Sequence, residues 1–221
     1  HVAPGVVRTL AGDYLQVFRL AGASFESADD ASLNNWHERL NVTWRNLAGP
    51  NVALWTHVIR RREETSVRPA SGTGFADLLA DRYQRRLSGE TLMVNEMCLC
   101  VVYRPVTGAA TGLAARWLAR RGKEGGEQDV ADALDACAKL GQVISASLAR
   151  YEPELLEVYA RNGRVHSRLL EFLALLVNGE VQPIPLTLAP LNEALATSRL
   201  VFGSEVIEYR LPTRTRLGAM L

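Results

Sequence analysis

Two long apolar segments constrain the fold of this chain more than any other feature of its sequence. The first runs from Asn51 to Arg62 and the second from Leu92 to Arg104. In both segments apolar side chains occupy the two alternating sets of positions for much of the length, a pattern typical of strands covered on both faces. The sequence therefore predicts two buried strands.

Amphipathic helices are predicted before and between these strands. Asp29 and Asp30 supply N-cap oxygens for the first helix, and Ala48-Gly49-Pro50 ends it. Its apolar positions recur every three or four residues: Leu33, Trp36, Leu40, Trp44 and Leu47. The second helix has a narrower stripe of the same kind: Phe75, Leu78, Leu79, Tyr83 and Leu87.

A hairpin is predicted ahead of the first helix, from residues 6–10 and 14–20 around the turn Ala11-Gly12-Asp13. The order hairpin, helix, strand, helix, strand is typical of an α+β layer. We therefore expect an antiparallel or mixed sheet with helices packed on one face.

After Pro105 the composition changes, and a more helical second half is expected. Helices are predicted over residues 128–151 and 165–177, the latter ended by Asn178-Gly179. A short helix at 191–197 and strands at 200–202 and 206–211 should follow. The resulting division is an α+β sheet layer over residues 1–105 and a mainly helical continuation of the same domain over residues 106–221.

Composition excludes several functional classes. The 221 residues carry 25 Lys and Arg against 24 Asp and Glu, so no long-range field draws the chain as a whole to nucleic acid or to anionic lipid. The longest aliphatic stretch, residues 169–177, is shorter than the roughly 20 residues that cross a bilayer. Three cysteines are too few for a disulfide framework, which favours a reducing compartment.

A partial phosphate-loop motif fails on its chemistry. Gly122-Lys123 lies in a glycine-rich stretch, but Glu124 stands where a magnesium-binding Ser or Thr is required. Trp117 occupies the place of the first glycine. The sequence therefore assigns no cofactor-binding residue to this segment.

Metal and catalytic patterns are equally incomplete. Cys98 and Cys100 project from one face of a strand, yet no neighbouring Cys or His pair completes a zinc site. His57 shares a strand face with Trp55 and Ile59, which is typical of a core histidine. No catalytic or metal-ligating residue is assigned, and both cysteines are interpreted as core residues.

The triplet Arg60, Arg61 and Arg62 is the sharpest local charge, placed at a strand end. Guanidinium groups bind carboxylate and phosphate bidentately, so the triplet is a candidate site for a partner subunit or for phosphate head groups. The alternative is a solvated strand end that discourages edge pairing.

Two other functional classes stay open at this point. A small metal-dependent enzyme would use His57, Glu96 and the paired cysteines. A nucleic-acid-binding adaptor would use a basic helix face, which Asp77, Asp81 and Glu90 dilute. Its arginines are Arg82, Arg85 and Arg86.

Several short blocks, taken in order, resemble the amino-terminal region of the CagE/TrbE/VirB family, the large cytoplasmic ATPases that energise type IV secretion. The likeness covers most of the first 105 residues and is looser from Thr107 onward. The blocks are Gly12-Asp13-Tyr14-Leu15, residues 33–40 (LNNWHERL), residues 54–62 (LWTHVIRRR), Tyr83-Gln84-Arg85-Arg86-Leu87 and residues 95–105 (NEMCLCVVYRP).

The resemblance implies that this segment precedes a RecA-like motor domain, where ATP and magnesium would bind and drive pilus assembly, conjugation and protein transport. It implies a docking and oligomerisation role for the segment itself. The implied partners are other secretion subunits, including small inner-membrane proteins, and further copies of the ATPase. The implied location is cytoplasmic, peripheral to the bacterial inner membrane.

Overall fold

The fold comes from a computed structural model that describes residues 1–62, 74–87, 89, 92–105, 123–186, 195, 199–203, 206–210 and 215–219. The helices are α1 (Asp30–Leu47), α2 (Gly74–Leu87), α3 (Lys123–Ser147) and α4 (Arg168–Asn178). The strands are β1 (Val7–Arg8), β2 (Tyr14–Leu20), β3 (Val52–Arg62), β4 (Met93–Tyr103), β5 (Pro153–Leu155), β6 (Val158–Arg161), β7 (Arg164–Ser167), β8 (Arg199–Phe202), β9 (Val206–Arg210) and β10 (Thr215–Ala219).

The central sheet is antiparallel, in the order β1-β2-β4-β3, with β5 also paired to β2. Strands β3 and β4 pair along their whole length, from Val52 opposite Tyr103 to Arg62 opposite Met93. The two predicted strands are therefore confirmed as neighbours in one sheet, but the burial expected for the first is wrong, since none of residues 52–61 is buried and Trp55 is 62 % exposed. Since β3 ends the strand order, it lies at an edge of the sheet.

One face of this sheet packs against α1 and α3. Phe18, Leu99 and Val101 point to that face, because residues directly opposite in an antiparallel pair share it. They form a buried cluster with Leu47 of α1 and Ile144 of α3. The 3-10 turn Ala149–Tyr151, which ends the long helix, adds Tyr151 to its margin.

The opposite face packs against α4. Val17, Cys98 and Cys100 form a second buried cluster with Leu169 and Phe172 of that helix. The α+β class is confirmed, with helices on both faces of the sheet rather than on the single face expected. The reason is long-range, since β5 pairs with β2 and brings the following helix to the second face.

Local signals explain the ends of the helices. Asp29 accepts a hydrogen bond from the Ser32 backbone N–H at 2.7 Å, as an N-cap should, and hydrogen bonding with the side chain and then the backbone of Ser32 lowers the pKa of the carboxyl. Gly179 ends α4 at φ +67°, confirming the predicted stop. The predicted start at residue 165 was three residues early, because Val165 to Ser167 pair with β6 instead.

Strands β8 and β9 confirm the two predicted near the end, and β10 extends them to three antiparallel strands. Leu195 is the one described residue of the helix predicted at 191–197. Residues 106–122 also lie outside the described residues, so the division at residue 105 stays a prediction. None of the described helices is long and apolar enough to cross a membrane.

Candidate docking surface

The hairpin of β3 and β4 is covered at one end only. Near its covered end, Leu99 and Val101 are almost completely buried between the sheet and the helices. At the other end, Val58 and its cross-strand partner Met97 are exposed, with 63 % of Val58 accessible to solvent. We call residues 58–62 and 93–97 the ribbon tip.

Helix α2 connects the two strands of the ribbon tip, and it has no buried residue. Four of its large side chains are between 56 % and 79 % exposed: Phe75, Leu78, Leu79 and Tyr83. These are the residues that the sequence predicts as the apolar stripe of this helix. The stripe is confirmed, but within the described part of the chain no core covers it.

The arginine triplet lies at the ribbon tip and is divided by the alternation of the strand. Arg61 donates to Oε1 of Glu96 from Nη2 at 2.7 Å and from Nε at 3.0 Å. Arg60 is exposed on the opposite face of β3. Arg62 pairs through its backbone with Met93, and its side chain lies outside the described part of the structure.

The cysteines lie deep in the core. Burial raises the pKa of the Cys98 thiol to about 11 and that of Cys100 to about 12, so both are neutral thiols at physiological pH. Cys137 on α3 is buried against the other face, and burial raises its pKa to about 11. Because the thiolate is the nucleophile and the metal ligand, these positions suit packing rather than chemistry.

The other residues considered for chemistry are engaged in structural contacts. His57 packs edge-on against Phe172 of α4, with ring centroids 5.4 Å apart. Glu96 is the partner of Arg61. Among the residues that the structure describes, no group of three or more His, Cys, Asp or Glu is placed to hold a metal ion. Gly122 and Trp117 of the partial phosphate-loop motif lie outside those residues.

A polar cluster that the sequence analysis missed joins β2, β5 and α4. Glu154 accepts hydrogen bonds from Arg19 and Arg168. Close by, the Tyr159 hydroxyl donates to Glu171 at 2.7 Å, which raises the tyrosine pKa. The partners are more than ten residues apart in sequence, so no local pattern could reveal them. The cluster holds α4 beside the sheet, which is a structural role. The ribbon tip therefore remains the candidate surface.

Comparisons with known proteins show that the chain is similar to components of type IV secretion systems. Residues 5–110 match the family described as the N-terminal domain of the type IV secretion system ATPase VirB4/TrbE. Residues 154–221 match the CagE, TrbE, VirB family, described as a component of the type IV transporter system.

Individual relatives agree with the family matches. The chain is 32 % identical to the type IV secretion system protein virB4 of Bartonella quintana, over all of its own length and 28 % of that protein. It is 34 % identical to virB4 of Brucella melitensis, over 98 % of its own length and 27 % of the relative. It is 30 % identical to the type IV secretion system protein PtlC of Bordetella pertussis, over 100 % and 27 % of the two lengths. The chain thus spans little more than a quarter of these relatives.

Proposed function

Because the chain belongs to the CagE/TrbE/VirB family and corresponds to the amino-terminal part of its type IV secretion ATPases, we propose that it is their docking and oligomerisation domain. In this role the chain attaches the ATPase to other secretion subunits, including small inner-membrane proteins, and to further ATPase copies. It acts on the cytoplasmic side of the inner membrane, as a peripheral component.

The observation that carries the proposal is the open end of the β3–β4 hairpin. A sheet whose other end is covered on both faces continues into a ribbon tip with exposed Val58, Met93 and Met97. Exposed apolar side chains in a cluster mark interaction surfaces, because leaving them in water has a free-energy cost that a partner removes. The adjoining arginines add recognition of carboxylate or phosphate groups.

ATP hydrolysis belongs, in this proposal, to a motor domain that follows this segment in the full-length protein and binds ATP and magnesium there. Its work would be pilus assembly and the transfer of protein or DNA. The chain by itself is expected to bind ATP negligibly in calorimetry. Micromolar binding of ATP to the chain would contradict this assignment.

The docking role is tested in the full-length ATPase, in cells that carry the rest of the secretion machinery. The substitution of Arg60, Arg61 and Arg62 by Gln should lower recovery of the ATPase with the membrane-bound secretion complex by about tenfold or more, as expected when charged interface contacts are lost. ATP hydrolysis by the purified protein should be unchanged, because the substitution leaves the motor intact.

A matched control carries the same loss of three positive charges on other exposed parts of the chain, as Arg39→Gln, Arg45→Gln and Arg164→Gln. Its recovery with the complex should equal that of the unmodified protein. If the triplet variant behaves like this control, the arginines are only a solvated strand end, and docking through the ribbon tip is refuted.

A further inference from the structure

The exposed side chains of α2 form one continuous apolar side. Phe75, Leu78, Leu79 and Tyr83 recur at steps of three and four residues, which places them above one another on the same side of the helix. More than half of each side chain is accessible to solvent. The helix therefore presents to solvent the side that a soluble helix normally turns to a core.

Positive charge lies on this same side. Arg82 follows Leu78 by four residues and Leu79 by three, so its side chain continues the apolar side toward the helix C-terminus. Arg86 follows Arg82 by four residues and Tyr83 by three. The apolar side thus ends in two guanidinium groups, both on exposed residues.

The acidic residues of α2 lie on the opposite side. Asp77 and Asp81 are two residues before and after Leu79, and a step of two turns about 200° around a helix, although Asp81, three residues after Leu78, borders the apolar side. Two such helices that packed through their apolar sides would bring Arg82 and Arg86 to an interface without a carboxylate from this helix. Two copies of α2 packed in this way therefore gain no charge pairing from each other at the centre of their contact.

An anionic bilayer satisfies both features at once. Leucine and phenylalanine side chains enter the boundary of head groups and acyl chains, and arginine stems extend to reach the lipid phosphates. Opposite charges attract across the surface, while Asp77 and Asp81 face the water.

We propose that α2 lies flat in the surface of an anionic lipid bilayer, with its apolar side and Arg82 and Arg86 toward the lipid. This inference rests on the proposed docking role and names the partner of α2. Met93 follows Leu87 by six residues along the chain, which limits the distance between them to about 20 Å. A bound helix would thereby hold the ribbon tip close to the membrane surface.

Co-sedimentation of the purified chain with lipid vesicles tests the proposal. The chain should bind vesicles of phosphatidylcholine and phosphatidylglycerol in a salt-dependent manner, and bind phosphatidylcholine alone much more weakly. Leu78→Glu with Leu79→Glu should abolish binding, because both the apolar contact and the charge attraction are lost. Arg82→Gln with Arg86→Gln should weaken binding about thirtyfold, as expected for two arginines near an anionic surface.

The matched control introduces the same two negative charges at exposed apolar positions of other helices, as Val42→Glu with Val143→Glu. This variant should bind vesicles almost as well as the unmodified chain, with only the small loss of affinity that two added negative charges cause. Thermal unfolding of the α2 variants should be unchanged, since no residue of α2 is buried. Loss of binding can then be attributed to the surface rather than to unfolding.

Equal vesicle binding by the α2 variants and the control would overturn the proposal. So would a concentration-dependent dimer, seen in sedimentation, that Leu78→Glu with Leu79→Glu dissociates in the absence of vesicle binding; a second copy would then cover α2. The docking role is tested separately, because the variant at Arg60, Arg61 and Arg62 is measured by recovery of the ATPase with the secretion complex. Failure on vesicles with retained recovery defects would refute the lipid partner alone.

Discussion

The two ends of the β3–β4 hairpin are made of similar residues and have opposite surroundings. In the covered half, residues 52–57 and 98–103, α1 and α3 pack on one face of β4 and α4 on the other, although Trp55 of the edge strand β3 is 62 % exposed. In the ribbon tip Ile59 still packs against the cluster that contains α4, whereas Val58, Met93 and Met97 on the other face are exposed. An apolar strand pattern thus indicates that a surface of the strand has to be buried. It does not show whether the same chain or a partner buries it.

The difference also separates stability from interaction. Burial of apolar area stabilises the covered half, since each fully buried large side chain contributes about 1.5–3 kcal/mol relative to exposure. The tip and α2 contribute little of this kind, so they tolerate change while remaining free to bind. Substitutions in the two regions should therefore differ widely in their effect on the free energy of unfolding.

Phe18→Ala should lower the free energy of unfolding by about 3–5 kcal/mol, because the ring is 99 % buried between β2 and the α3 cluster. Leu79→Ala on α2 should change it by less than about 0.5 kcal/mol, since that side chain is exposed. Urea unfolding of both variants measures the two values. A loss at Leu79 comparable to that at Phe18 would mean that α2 is covered, and the contrast between the regions would fail.

Alkaline pH should destabilise the covered half through its thiols. Unfolded cysteines ionise near the ordinary value of 9.0, whereas Cys98 and Cys100 retain their protons in the fold until about pH 11 and 12. Between these values the unfolded state binds fewer protons, so the free energy of unfolding falls as pH rises, by up to about 1.4 kcal/mol per pH unit for each thiol. Below pH 9 the thiols add no pH dependence.

The double variant Cys98→Ala with Cys100→Ala isolates this effect. It should be less stable than the unmodified chain at pH 7, because cavities replace two buried thiols. The gap between the two proteins should narrow steadily above pH 9. A gap that stays constant up to pH 11 would show that the thiols ionise equally easily in the folded and unfolded chain.

Ser167→Ala should cost about 1–2 kcal/mol, because it removes the N-cap of the helix that covers one sheet face. The buried hydroxyl accepts from the Leu170 backbone N–H at 3.1 Å and shares a 2.7 Å hydrogen bond with Nε2 of His1. Asp29→Ala removes the exposed cap of α1 and should cost less than the Ser167 variant. Equal losses in chemical denaturation would show that the burial of the Ser167 cap adds nothing.

Much of the covered half could be predicted from sequence because its signals are local. The alternation in β3 and β4, the Asp29 cap and the Gly179 stop each depend on a few neighbouring residues. The β6–β7 hairpin also had a local signal, since Asn162 and Gly163 form its turn at φ +50° and +74°. The sequence analysis missed it because the following apolar run was assigned entirely to a helix.

What could not be predicted is which apolar residues stay exposed. Val101 and Val58 have the same chemistry and lie in paired strands, yet the first is buried and the second is not. The difference is decided by where α3 and α4 return to the sheet, more than 20 residues away in sequence. The candidate surface was therefore indicated only by its charge, at Arg60, Arg61 and Arg62, and its apolar part required the fold.

The smallest expected effect distinguishes two arginines within the ribbon tip. Arg61→Gln removes the contact with Glu96, an exposed pair, and should lower stability by about 0.2–1 kcal/mol at low salt, with the loss fading as salt is added. Arg60→Gln, on the opposite face, should leave stability within the error of thermal unfolding. If docking depends on charge at the tip, Arg60→Gln should still reduce recovery with the secretion complex. A recovery defect seen with Arg61→Gln and not with Arg60→Gln would instead attribute the loss of docking to a disturbed strand end, because Arg61 holds that end through Glu96.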